Sequence, residues 1–555
     1  MTDPTTPDLS LDLDFPAIDL DDWRAAAEPL FAGSANDGHM IDPAIEGVVI
    51  QPLYTAADVD PVALAAARPI SGRPPDGWTI AQRYDHPDIA VANRQILADL
   101  ERGAGGIWLR LDRAARLGLL PDHPSYAEHA GIDGIMAATA GDIERLLDGV
   151  HLEMVHVAFD AGAAAYGVAE HFRHAVKRRG LAPESVHVAF NCDPLGTLAA
   201  EGRWPGSLAD GPDEVGPRAG EIGPRAGEIG DLVGLYNVKY PHARVLGVST
   251  LPYHNAGAHE VQELAYALAT AVVYLRALAA YGWDAATACS HVRFIFGIGN
   301  DFLVEIAKLR AARRLWARVT EALGDNVDQA DPMEIHAVTS PRALARQDPW
   351  VNLVRVTVQA AAAGIGGANR VTTLPFDAAL GLSDNFARRL ALHTQSILQA
   401  ESHLHRVADA AGGSYAIEKL TDTLARRAWA LFQEIERAGG MARALRNGGI
   451  QAQVAEAAAT RRAEIAAGRR PIIGVTEYPP PADLPSVEPA AVDVDSLRAS
   501  TVARYHEYVA RQPYRTGSDW PRLLGWADAE SGPGLTIEPL VAVRDAEPFE
   551  NAAHD

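Results

Sequence analysis

The sequence predicts an α/β fold whose main body is a closed (β/α)8 barrel, and three observations carry that reading. Short β-rich runs alternate with long helical patterns from about Gly105 onward, the helices end on normal stop signals, and strand starts near 245, 292, 334 and 370 recur at the spacing of parallel β/α units. The strand-like runs are Gly106–Leu111, Met154–Phe159, Val186–Asn191, Val245–Leu251, Val292–Gly297, Glu334–Thr339 and Arg370–Leu374, with a weaker eighth expected near Ile132–Ala137. Between them, Glu260–Tyr281 aligns Val261, Leu264, Leu268, Val272, Leu275 and Leu278 on one stripe and stops at Gly282, a left-handed C-terminal signal. The next helix, capped by Asn300 or Asp301, places Phe302, Ile306, Leu309, Trp316, Val319 and Leu323 on one face, carries Lys308, Arg310, Arg313, Arg314 and Arg318 elsewhere, and stops at Gly324. An open doubly wound sheet is the alternative arrangement of the same units.

Around this barrel, assigned to residues 46–415, the chain divides into an N-terminal arm (1–45), a helical extension (416–478) and a linker or tail (479–555). The arm is acidic and then helical, with Leu20, Trp23, Ala27 and Leu30 at helical spacing, which suits a docking arm. A seven-residue tandem duplication, Gly216–Ile222 and Gly223–Ile229, lies in a Gly/Pro-rich insertion whose composition suits an exposed loop. After Pro479-Pro480-Pro481 the chain turns Pro-, Asp- and Ala-rich around one convincing helix near Leu497–Arg511, the pattern of a wrapping tail.

Charge and cysteine content narrow the function. The 49 Lys+Arg against 72 Asp+Glu leave a net charge of −23, which disfavours a nucleic-acid or anionic-membrane surface and requires any anionic ligand to meet a local basic site. Two distant cysteines, Cys192 and Cys289, give neither a disulfide framework nor a zinc pattern and fit a reducing cytoplasmic setting. No Walker loop, nucleophile elbow, H-E-x-x-H or EF-hand loop is present. His254, with Tyr253 beside it, follows a strand and precedes a helix, which in a barrel is the catalytic rim. There the pair can donate to a carbonyl or thioester oxygen, or anchor a loop. His336 lies inside a strand and points either into the barrel or to the outer helical layer, where packing is its simplest role. The cluster Glu401-Ser402-His403-Leu404-His405 lacks the further ligands a metal site needs.

Specific segments resemble the cobalamin-dependent methylmalonyl-CoA mutase family. They are Trp78-Thr79-Ile80-Ala81-Gln82 with Asn93 and Gly103, Tyr253-His254 followed by Ala256-Gly257-Ala258, the run Phe302 to Trp316, Thr394-Gln395 with Glu401-Ser402, Gly412-Gly413-Ser414-Tyr415, and Pro471 to Val475. The resemblance covers about residues 40–478 and implies a TIM barrel that encloses an acyl-CoA and is capped by adenosylcobalamin, whose cobalt–carbon bond breaks to start a radical rearrangement. It implies His254 as the catalytic histidine and Tyr253, Gln82 and His336 as substrate-binding residues.

Several motif positions depart from the family pattern. Where catalytic chains read R-P-W-T-I-R-Q-Y, this sequence has Asp76, Gly77, Ala81 and Arg83 in place of Arg, Pro, Arg and Tyr, and Gln82 survives. The family's Y-H-M-Q-E-A-G-A is shortened by two residues after His254, which removes its Glu; H-x-Q-T-S-G becomes His336-Ala337-Val338-Thr339-Ser340-Pro341; and L-H-T-N becomes Thr373-Leu374-Pro375-Phe376. Cys192-Asp193-Pro194-Leu195-Gly196 replaces an N-D-I-L-K-like segment. No D-x-H-x-x-G motif and no complete flavodoxin-like cobalamin domain is found, so the cobalamin domain is expected on a partner chain or beyond the end of this sequence. The resemblance is strongest to the small subunit of a heterodimeric enzyme, a barrel without its own catalytic set that supports a large cobalamin-binding subunit. Two other readings stand beside it. One is a catalytic barrel of a split mutase of the isobutyryl-CoA or 2-hydroxyisobutyryl-CoA type served by a separate cobalamin-binding protein; the other is a non-enzymatic assembly partner.

Overall fold

A computed structural model describes residues 19–31, 48, 50–60, 77–204, 225–324, 332–511 and 535–550. Residues 1–53 form one unit and 54–555 another. In the first, Leu20–Phe31 is helical, and Asp19 Oδ1 accepts from the backbone N–H groups of Asp21 and Asp22, a normal N-terminal cap. The second unit holds the barrel. Its strands are β1 (Thr79–Tyr84), β2 (Gly106–Arg110), β3 (His156–Asp160), β4 (His187–Cys192), β6 (Ala243–Ser249), β7 (Val292–Ile298), β8 (Glu334–Thr339) and β9 (Arg370–Thr372). They close in the order β1-β2-β3-β4-β6-β7-β8-β9, all parallel, and β1 meets β9 through Thr79 opposite Arg370 and Ala81 opposite Thr372. A two-residue β5 (Arg203–Trp204) pairs antiparallel with β10 (Leu535–Thr536).

Seven strands coincide with the predicted runs, and the eighth does not. Ile132–Ala137 contributes a single parallel bridge, Leu111 with Ile135, while Thr79–Tyr84 supplies the missing strand. The strand Val245–Leu251 ends earlier than expected, because Pro252 at the start of a short helix turns Leu251–Ala256 away from the sheet. In the duplicated insertion, residues 205–224 fall outside the described part, but the second copy is not irregular throughout. Its Arg225–Ile229 opens the helix Arg225–Asn237, where Ile229 is buried.

The helix Glu260–Tyr281 is long and apolar enough to cross a membrane by length and mean hydropathy, 1.5, yet 72% of that window is buried inside the fold. It lies in the outer layer beside Phe302–Glu321 and Tyr415–Arg437, so the first helix of the predicted extension completes the barrel's coat. In Phe302–Glu321 the basic residues are not all on a solvated face: Lys308 is fully buried and Arg310 pairs with Asp409 and Glu418.

The chain after the barrel runs around the C-terminal rim. Gly474 sits against Asp348 beyond β8, and Ala490 N–H donates to Leu382 O beyond β9 at 2.9 Å. The helix Val494–Ala510 packs Leu497 and Val502 on Ala114, Leu117, Leu119, Tyr126, Ala130 and Met136 beyond β2. From Leu535 the chain binds the loops beyond β4, β6 and β8 in turn, through Ile537 N–H to Gly202 O (2.8 Å), Val543 N–H to Asn255 O (2.8 Å) and Asp545 N–H to Arg342 O (3.0 Å). At Ala546 it is back beside the start of this segment, where Ala546 and Val475 share a cluster with Ala345.

Candidate functional site at the C-terminal rim of the barrel

Parallel strands deliver their C-terminal ends, and the loops after them, to one face, the face on which barrel enzymes build their sites. The loop after β6 folds into Leu251–Ala256, which Gly257 ends at φ +115°, a conformation that favours glycine. That turn carries Tyr253 and His254 to the rim, where His254 is fully buried. Its Nδ1 lies 2.7 Å from Glu263 Oε1 and its Nε2 2.7 Å from Ser340 Oγ. A carboxylate accepts only, so Nδ1 carries the proton and Nε2 accepts from the serine hydroxyl in the neutral ring. Burial pushes the imidazole down to about 4, against the upward pull of Glu263. Gly297 on β7 makes room for it, since a Cβ there would stand 2.5 Å from His254 Cγ.

Glu263 is the hub of a wider network. It also accepts from Thr250 Oγ1 at 2.8 Å and meets Lys308 Nζ at 3.3 Å. Lys308 in turn donates to Gly297 O at 2.6 Å and pairs with Glu305 Oε2 at 2.7 Å, while Glu305 Oε1 accepts from Gly299 N–H. Burial alone pushes these carboxyls up. For Glu263 the nearby Lys308 and His254 outweigh burial and hold it near 2, whereas Glu305 rises to about 8. Lys308 itself is raised, because the surrounding carboxylates outweigh its own burial. Arg342 anchors the loop from the other side, donating to His254 O (2.7 Å) and Ala258 O (3.1 Å), with Asp545 of the tail 3.7 Å away.

The other predicted residues do not join this network. Tyr253 is buried edge-on against Tyr266, ring centroids 5.2 Å apart, and burial raises its hydroxyl. Gln82 lies on the side of β1 that faces the outer helices, and its Nε2 donates to Arg388 O at 3.2 Å. The inward positions of that strand are Ala81 and Arg83, and Arg83 turns to Asp85 at 2.6 Å. Asp76 lies outside the described residues. A small cleft lined by Gln82, Arg83, Thr373, Pro375 and Arg388 opens at the ends of β1 and β9.

His336 points into the barrel. Its Nε2 is 2.8 Å from Thr372 Oγ1 on β9, and its ring stands T-shaped to Trp108 on β2, centroids 5.2 Å apart. Trp108 packs with Ala158, Ala189, Ile295 and Val338, from β3, β4, β7 and β8, with Leu251 over them. β2 and β7 are opposite strands of the eight, so this contact crosses the barrel axis. An indole set against two alanines, with Arg110 bound to Asp133 and Asp160 beyond it, fills the interior as a packed core.

Sequence reasoning did not find Glu263, Glu305, Lys308, Ser340 or Trp108. The signal in the helix was that Lys308 repeats with Val304, Ala311, Leu315 and Val319, a buried row in which a cation needs buried partners.

Fold and rim together define a closed (β/α)8-barrel protein with a buried histidine–carboxylate–lysine centre on its C-terminal face. The chain matches the methylmalonyl-CoA mutase family over residues 45–517 and belongs to it. It is similar to the methylmalonyl-CoA mutase small subunit of Streptomyces virginiae, 41% identical over 485 residues that cover 85% of this chain and 72% of that one. Likeness to the large subunit of the same organism is lower, 31% over 533 residues, 94% and 70% of the two chains. The small subunit of Propionibacterium freudenreichii subsp. shermanii is 30% identical over 501 residues, 86% and 71% of the two.

The family resemblance implies adenosylcobalamin, but the rim does not fit a cobalt ligand. Both nitrogens of His254 are committed to hydrogen bonds, so its imidazole has no lone pair left for a metal.

Proposed function

We propose that this chain is the small, non-catalytic subunit of a heterodimeric methylmalonyl-CoA mutase, supporting the cobalamin-dependent interconversion of methylmalonyl-CoA and succinyl-CoA by a large, cobalamin-binding partner. The observation that carries the reading is the filled barrel axis. An acyl-CoA arm threaded between the strands would have to displace Trp108 and His336 from the places where they pack. The substitutions Ala81 and Arg83 on the inward face of β1 point the same way, as they remove the guanidinium and phenol that the family pattern places there. The higher identity to a small than to a large subunit adds to it.

In this reading the rim network is architecture. Glu263 fixes the tautomer of His254, Ser340 closes its second nitrogen, and Lys308 neutralises the carboxylates that hold the loops after β6, β7 and β8 together. The complex is placed in the cytoplasm, a setting supported by two cysteines that are both buried free thiols.

The test is isomerisation of methylmalonyl-CoA with added adenosylcobalamin in three mixtures: this chain alone, with a large subunit, and with an isolated cobalamin-binding protein. Turnover is expected in the second mixture and not in the others. Turnover in the third would mean that this barrel is itself catalytic, in the manner of a split acyl-CoA mutase.

A further inference from the structure

Two neighbouring helices of the barrel's coat, Asn352–Ile365 after β8 and Asn385–Ala400 after β9, carry an apolar row on the outside as well as the inside. The inner row of each is buried against the sheet and the adjoining helices, with Val356 and Ala363 on the first and Leu392 and Leu398 on the second. The outer rows are Val354, Val358 and Ile365 on the first helix and Phe386, Leu390 and Ile397 on the second, both at i, i+4, i+11, which keeps them on one face for three turns. None of these six is buried: Val354 is 65% exposed, Phe386 46% and Ile397 47%, and the rest are half-buried. A helix that is apolar on both faces belongs inside an assembly.

Elsewhere the coat covers such faces itself, since Tyr415–Arg437 lies over Glu260–Tyr281 and Phe302–Glu321. Asn352–Ile365 and Asn385–Ala400 pack on each other, on strands and on the helices to either side, and among the described residues no second layer lies over them. Charge sets the face apart as well. In a chain with 72 Asp+Glu the two helices contain none, and the charges left on their outside are Arg355 and Arg389, the latter 5.7 Å over the Phe386 ring. Towards the C-terminal rim the apolar surface continues in exposed Ile473, whose carbonyl accepts from Arg355, and then in Tyr478 beyond the bridge from Ile473 to Glu477. Tyr478 is 78% exposed and holds a left-handed backbone, φ +52°, which costs a bulky residue energy that its own chain does not return as burial. At 1.5 Å per residue and about 10 Å between axes, the two outer faces span about 20 by 20 Å. That is about half of the ~800 Å² that one partner gives to a standard interface, before Ile473 and Tyr478 are added.

We propose that this face, centred on Val354, Phe386 and Ile397, is where the large subunit docks; the inference rests on the small-subunit reading and adds to it the surface and chemistry of the contact. Charge and homology select the occupant. In a two-fold pairing of identical chains, Arg355 and Arg389 would meet their own copies between two chains of net charge −23, which disfavours a second copy. A homologous large subunit presents the equivalent helices in a pseudo-two-fold pairing, with its own residues on them. The partner surface that fits is an apolar patch edged by carboxylates, which covers the two outer rows and meets the two arginines.

Sedimentation velocity of the full chain, alone and mixed with a large subunit, tests it. The wild type is expected to run as a monomer alone and as a one-to-one pair in the mixture. V354E puts a carboxylate in the middle of the apolar face and is expected to weaken pairing at least about tenfold, with the Tm of the isolated chain unchanged because the side chain is exposed. Y478G relieves the left-handed backbone, so it is expected to weaken pairing while the isolated chain melts at or above the wild type. Variants that pair as tightly as the wild type would overturn the docking face and leave the small-subunit reading intact, whereas a wild type that does not pair with the large subunit would defeat that reading itself. Self-association of the wild type that V354E abolishes would assign the face to a second copy, and a lower Tm of isolated V354E would mean that the chain covers the face with its own residues. Either result overturns the inference.

Discussion

Replacement of Lys308 with methionine is expected to destabilise the chain by about 3–5 kcal/mol at pH 8, the usual range when one member of a buried ion network is removed. Methionine keeps most of the volume, so the effect is electrostatic. Lys308 is the cation that faces Glu263 at 3.3 Å and Glu305 at 2.7 Å inside a fully buried setting, and Glu260 adds a further carboxyl nearby. Without it, burial would drive these carboxyls towards their protonated forms. Glu305 already stands at about 8 with the lysine present, because burial lifts it more than Lys308 lowers it. The sign of the pH dependence follows. Because Glu305 is raised with or without the lysine, the difference comes from Glu263, which Lys308 helps to hold near 2. In the wild type it stabilises the fold above about 4.5, whereas in K308M burial raises it and it opposes folding increasingly as pH climbs above that value. The gap between wild type and K308M is therefore expected to be widest at pH 8 and to narrow towards pH 5. Urea unfolding of both proteins at several pH values measures it. A gap below about 1 kcal/mol, or one independent of pH, would mean that the network does not hold the rim together.

Replacement of Trp108 with alanine is expected to cost a similar amount, about 3–5 kcal/mol, by a different route. The indole is 2% exposed and touches residues from strands on both sides of the barrel, two of them alanines that cannot fill the gap. The closed sheet limits how far the walls can collapse, so part of the volume should remain as an apolar cavity. Such cavities stay dry and take up small apolar guests. W108A is expected to bind xenon or benzene where the wild type does not, read as a guest-dependent rise in Tm. A cost below about 1 kcal/mol with no guest binding would mean that the axis is not packed around this side chain, and the case for a filled, non-catalytic barrel would lose its main support.

Much of the fold was legible in the sequence, for a physical reason. A barrel strand is buried on both faces, so β7, Val292–Ile298, reads as a continuous apolar run, and the helices between strands carry clear stripes and glycine stops. β1 escaped notice because Thr79, Gln82 and Arg83 interrupt its apolar residues. Those groups find partners that local pattern does not reveal, Arg388 for Gln82 and Asp85 for Arg83. Ile132–Ala137 has the better composition but follows the loop after β2, where it reaches Leu111 with one bridge.

The site was legible in outline only. His254 could be placed on the rim because it follows a strand, but its partners lie 9 and 86 residues away in sequence. The family pattern suggested a lost glutamate after His254, and the structure supplies Glu263 from the next helix at that imidazole. The sequence left His336 undecided between interior and coat and did not single out Trp108, since β2 is buried on both faces along most of its length. The ring contact between them across non-neighbouring strands, with Trp108 among Ala158, Ala189, Ile295 and Val338, shows that both enter the barrel.

The central claim is that this barrel supports a partner's chemistry without a cofactor site of its own, and binding stoichiometry tests it most directly. Equilibrium dialysis of adenosylcobalamin against the purified chain, a large subunit and their complex should give no binding to this chain and about one cobalamin per pair in the complex. Tight binding by this chain alone, or about two cobalamins per pair, would contradict the account.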